Sequence, residues 1–120
     1  MKKLLFVIIL ASFSGYVSAN EFIKLVGTWN YIVEYAPVGY DKGQMIFSEN
    51  EGKVVGEVRI EGHSIPVKNL ELIEGQFKFG VEIDYGYIPI TIKIDGDKLT
   101  GKANTPDGDM PIQGTRAKPE

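Results

Sequence analysis

From Gly27 onward, hydrophobic and polar residues alternate with a period of two, the repeat of a strand with one buried face. Sustained helical periodicity is missing from this part of the chain. Only NEFIKLVG, residues 20–27, suits a single short helical turn. Glycine dipeptides break the alternation at regular intervals, and glycine suits two-residue hairpin loops because their backbone takes positive φ. If each dipeptide is a loop, the facing residues follow. With Tyr85-Gly86 as a loop, Ile83 faces Ile88, Val81 faces Ile90, Phe79 faces Ile92 and Phe77 faces Ile94. These pairs share one face, while Lys78, Glu82 and Lys93 take the other, and a slip of one residue would scramble both.

The same construction applies along the chain. Glu51-Gly52 sets Phe47 against Gly56 and Met45 against Val58, and Glu74-Gly75 sets Leu72 against Phe77 and Leu70 against Phe79. Gly96-Asp97 sets Ile94 against Leu99 and Ile92 against Gly101. Gly62-His63 sets Ile60 against Ile65, and Asp107-Gly108 sets Ala103 against Ile112 and Leu99 against Arg116. Inward parity flips between Val67 and Leu70. A bulge near Lys68-Asn69 repairs it with one extra residue; without a bulge, 64–67 and 69–73 are separate short strands. With the bulge adopted, eight strands are predicted at 27–36, 43–50, 53–61, 64–73, 76–84, 87–95, 98–105 and 109–116. All are sequential neighbours, so the expected fold is all-β, an eight-stranded antiparallel up-and-down barrel with no large helix. Closure removes the two edges that an open meander would expose.

The N-terminus changes what counts as the folded chain. MKKLLFVIILASFSGYVSA has two lysines, a short apolar run and small residues at Val17-Ser18-Ala19, the pattern of a secretory signal peptide. The expected organisation is a cleaved signal at 1–19, a lead-in at 20–26, a barrel at 27–116 and a tail at 117–120. No cysteine occurs, which excludes disulfides, thiol nucleophiles and a lipid-modified N-terminus. The expected location is therefore outside the cytoplasm, periplasmic or extracellular, and not as a lipoprotein. The whole chain carries 13 basic and 16 acidic side chains, a net charge of −3 that removal of Lys2 and Lys3 makes more negative. That sign argues against nucleic acid or an anionic membrane as partner.

Trp29 is the only tryptophan; it stands near the start of the first strand, and Arg116 near the end of the last. Closing the barrel brings these strands together, where a guanidinium over an indole gains about 0.5–2 kcal/mol. Gly27-Thr28-Trp29 followed by Gly114-Thr115-Arg116 resembles the lipocalin-like (calycin) barrels, in particular small secreted bacterial members. The resemblance spans the mature chain as topology but only these two motifs as sequence. It implies that Trp29 and Arg116 plug the closed end, and that ligand, where one binds, enters at the other. The chain is short, lacks disulfides and shows no C-terminal helix, so a lipid-sized cavity is not expected.

Strand order then places the loops at 37–42, 62–63, 85–86 and 106–108 around the mouth. The first, PVGYDK, is the longest and forms the lid. Tyr35, Tyr40, His63, Tyr85, Ile83 and Ile88 are the candidate ligand-binding residues. Tyrosines around an apolar hole suit a small molecule that is oily with a polar tip. Candidates for catalysis are thin: His63 is the sole histidine, and strand parity aims Ser64 away from it. The Asp-Gly-Asp runs at 95–97 and 107–109 lie at opposite ends and read as turns rather than as one calcium site. No metal and no cofactor is expected. The leading functional reading is a non-catalytic binding protein for a small apolar or amphipathic molecule. The alternative is a cell-envelope structural or protein/glycan interaction module whose barrel is filled by its own side chains.

Overall fold

The computed structural model describes residues 21–83 and 86–118. Among these, nine antiparallel strands follow in chain order: β1 (Gly27–Val33), β2 (Lys42–Asn50), β3 (Lys53–Ile60), β4 (His63–Pro66), β5 (Lys68–Ile73), β6 (Gln76–Ile83), β7 (Gly86–Asp95), β8 (Lys98–Thr105) and β9 (Gly108–Arg116). Hydrogen bonding orders them β4-β3-β2-β1-β9-β8-β7-β6-β5. The two strands that end this series are separated along the chain by Val67 alone, so the sheet curls until its ends are joined covalently. The result is a nearly closed barrel. The signal segment 1–19 lies outside the described residues, as does Tyr85.

The count is nine rather than eight because the strand expected at 64–73 divides its pairing. Its upper half, β4, pairs with β3, and its lower half, β5, pairs with β6. The ladder of β5 on β6 shifts register between Lys68 and Glu71, and Asn69 between them has φ 59°. Asparagine tolerates this left-handed conformation better than most side chains. The irregularity thus falls where inward parity flips, and it bends the strand so that neither half is paired on both sides.

Half of the expected turns sit where the glycine dipeptides suggest. Phe47↔Gly56, Leu72↔Phe77 and Ile94↔Leu99 are in register about the loops at 51–52, 74–75 and 96–97. The other three loops each lie one residue earlier, which shifts the pairing sum by two. Observed partners are Val58↔Ile65, Val81↔Ile88 and Ala103↔Met110. Because the shift is two, every side chain keeps its face and only its height changes. The causes differ. Glu61 and Gly62 have φ of 49° and 82°, close to Glu51-Gly52 and Glu74-Gly75, so a Glu-Gly pair with both residues at positive φ builds all three turns. At 105–108, Pro106 takes the second position and Gly108 the fourth, the composition of a type I turn.

The core fills the lower half of the barrel. Trp29, Phe47, Leu25, Met45, Ile92 and Leu99 are fully buried, and no polar or charged side chain is buried among the described residues. The Phe47 and Phe79 rings meet edge-on at 5.7 Å. Below them, the lead-in forms one helical turn at 21–23, with Lys24, Leu25 and Val26 each donating a backbone bond three residues back. Leu25 drops from this turn into the barrel, Phe22 packs on Phe77 at 5.6 Å, and Trp29 Nε1 donates to the Leu25 carbonyl at 2.9 Å.

β1 and β9 close the cylinder with Trp29 opposite Arg116. The Arg116 guanidinium carbon stands 4.2 Å from the indole centroid. Its Nη2 donates to the Lys24 carbonyl at 2.9 Å, Nη1 donates to the Val26 carbonyl, and Nε meets Asp97 at 3.0 Å. Arg116 therefore satisfies carbonyls that the short helical turn leaves open, and it holds the lead-in against the last strand.

Candidate functional site

The end opposite Trp29 is built differently. Residues 34–41 span it as a loop fastened at both ends: Val33 N donates to Asp41 O at 2.7 Å and Glu34 N to Pro111 O at 3.0 Å. Within the loop, Tyr40 N donates to Pro37 O at 2.9 Å and Gly39 N to the Asp41 carboxylate at 3.3 Å. Beneath it lies an apolar cavity of about 230 Å³. Its walls are mainly aliphatic side chains of β1, β2, β3, β6, β7, β8 and β9, with Ala36, Pro37 and Tyr40 as its cover. The space exists because Trp29, Phe47, Phe77 and Phe79 sit lower, while Ala103 and branched aliphatics occupy much of the upper interior.

Polar atoms on this wall are few. Tyr31 is 5 % exposed and follows Trp29 on the inward face by two residues. Its ring lies over Gly43, where an added Cβ would come 2.8 Å from the Tyr31 hydroxyl and 2.5 Å from the Arg59 carbonyl oxygen. Glycine at 43 is what lets the ring lie there. Burial alone pushes the Tyr31 phenol up to about 12, so it stays neutral and able to donate. No hydrogen bond to this hydroxyl is present among the described residues. Thr105 and Asp107 complete the lining at the rim.

The candidate residues divide accordingly. Tyr40, Ile83 and Ile88 line the cavity. Tyr35 does not: β1 ends at Val33, and Tyr35 at φ 69° turns outward to 81 % exposure. His63 does not either, because the turn at 61–62 makes it the first residue of β4, exposed at the upper edge. Tyr31, Met110 and Asp107 line the cavity and were absent from the candidates. For the first two the signal was present, since each lies two residues from an inward position, Trp29 and Ile112.

The remaining chemistry lies outside the barrel. Ser64 donates its hydroxyl to Glu57, which also meets Arg59 Nε at 3.5 Å. The Ser64 bond, helped by Arg59, holds the Glu57 carboxyl below its ordinary range. A serine committed to an exposed carboxylate is not an activated nucleophile. Among the described residues no three His, Asp or Glu side chains gather as metal ligands.

Protein-family models give no match to the chain, and neither do curated protein sequences. Solved structures do. A variant of the fluorescent protein UnaG aligns over 82% of this chain and 99% of its own, at 14% identity and a TM-score of 0.57. The shared feature is the antiparallel β-barrel. A redesigned β-barrel aligns over 84% of this chain and 96% of its own, at 18% identity and a TM-score of 0.51. At such identities the likeness concerns the barrel fold and no particular residue of the cavity.

Proposed function

We propose that this calycin-like barrel is an exported, non-catalytic binding protein that holds one small, largely apolar molecule under the 34–41 loop. The observation that carries the reading is the cavity of about 230 Å³ beneath the 34–41 loop, apolar save for Tyr31, Tyr40, Thr105 and Asp107. An apolar protein cavity of about 150 Å³ accommodates benzene, and drug-sized ligands take about 300–1,000 Å³. The space here therefore suits a molecule of one or two rings or a short branched chain. The same cavity weighs against the alternative of a barrel filled by its own side chains.

Titration of the ¹⁵N,¹³C-labelled protein with indole or phenol tests this. Methyl resonances of Ile83, Ile88 and Ile112 are expected to shift in a saturable manner. No shift at millimolar concentration of either probe would overturn the reading. Tyr31→Phe, which keeps the ring and removes the hydroxyl, is expected to weaken phenol about 3- to 10-fold, the worth of one net hydrogen bond. Its unfolding midpoint should not fall.

Export rests on the leader pattern, and the product is proposed to be a small secreted or periplasmic bacterial protein. N-terminal sequencing of protein made with its own leader in a Gram-negative host is expected to begin at Asn20. Mature protein still starting at Met1 would contradict export by cleavage.

A further inference from the structure

The cavity's charge pattern narrows the ligand further. Among the described residues no Lys, Arg or His lines it, whereas Asp107 does, at the turn between β8 and β9. Two more carboxylates flank the cover at Gly39. Asp41 accepts the Gly39 N–H at 3.3 Å, and a Cβ at Gly39 would stand 3.2 Å from Glu61. Nearby cations are directed elsewhere: Lys42 lines a depression on the outer face, Arg59 pairs with Glu57, and Lys102 pairs with Asp109. An anionic headgroup would enter an apolar, counterion-free space beside carboxylates, which costs both desolvation and repulsion. A cation at the rim meets the opposite field, and a cleft of one sign focuses it.

We infer that the site selects a compact arylalkyl amine, its ring in the cavity and its ammonium at the Asp107 rim. The inference rests on the binding reading above and adds the charge of the ligand. Tyr31, a residue 5 % exposed in the cavity wall, brings a hydroxyl that has no hydrogen-bond partner among the described residues. It serves a ring bearing a hydrogen-bond acceptor, such as a phenol oxygen.

Three ligands of nearly equal shape separate the outcomes: 2-phenylethylamine, 2-phenylethanol and phenylacetate, titrated calorimetrically at pH 7 and low ionic strength. The amine is expected to bind at least about tenfold tighter than phenylacetate, with the alcohol between them. Its advantage over the alcohol should shrink in 0.5 M salt, as a rim charge exposed to solvent requires. Asp107→Asn is expected to abolish that advantage. The substitution keeps the turn, where the residue's N–H donates to Thr105 Oγ1 at 3.2 Å. Asp95→Asn, at the far end of β7, should leave the ratio unchanged. If the alcohol binds and the amine binds no tighter than phenylacetate, the inference is overturned while the cavity reading stands. If none of the three binds, both fall.

Discussion

Trp29→Ala is expected to lower the unfolding free energy by about 3–5 kcal/mol, the range for a large aromatic truncated in a core. The indole is fully buried, and three partners depend on it. The Leu25 carbonyl loses its Nε1 donor, the Arg116 guanidinium loses the ring beneath it, and β1 loses its anchor opposite β9. Urea denaturation followed by circular dichroism measures the effect. Equal midpoints for the two proteins at equal m-values would contradict the role of Trp29 as the barrel's floor. Trp29→Phe should cost less, since it keeps a ring for Arg116 and gives up the indole donor. In a double-mutant cycle, Trp29→Ala and Arg116→Ala should be less than additive, because each removes the same contact.

Ala103→Phe is expected to abolish binding of a cavity-sized ligand, with a loss of at least about 100-fold, equivalent to about 2.8 kcal/mol. Ala103 is buried on β8 between Ile90 and Met110, and it lines the upper cavity with its methyl group. A benzyl group there enters empty space rather than packed neighbours. The unfolding midpoint should therefore stay level or rise, in contrast with the penalty for over-packing a filled core. Calorimetric titration and thermal melting of the same sample give both readings. Undiminished affinity would place the ligand outside the cavity.

Face was far more legible in the sequence than height. Alternation assigns a side chain to the inside by parity, and parity survives any error of two, so Val81, Ile88 and Ala103 were correctly inward with the wrong partners. The register depends on turn chemistry, where a glycine can belong to either of two positions. Glu61-Gly62 carried the same dipeptide as the loops at 51–52 and 74–75, so that turn was readable by analogy within the chain. Gly108 was ambiguous because glycine serves both a two-residue loop and the position after a proline-led turn. The divided strand was foreshadowed by the parity flip at 67–70. Its partition between two neighbours was not, because that depends on where the whole sheet closes.

The site was legible in part for the same reason. Ile83 and Ile88 follow from parity, whereas Tyr35 was drawn in by proximity to the mouth, and its positive φ turns it away. Leu25 could not be read as core at all. The lead-in has no strand periodicity, and the Trp29 indole, the Phe77 ring and the Arg116 guanidinium that fix it all come from outside it.

That clamp has a consequence for the order of assembly. Arg116 holds the Val26 carbonyl across 90 residues of sequence. Joining segments so far apart costs loop entropy before any contact repays it, and long-range pairing of this kind slows folding. A polypeptide delivered N-terminus first can form its hairpins one after another, yet Trp29 gains the guanidinium above it only once β9 has arrived. Completion of the barrel's floor is thereby tied to delivery of its last strand.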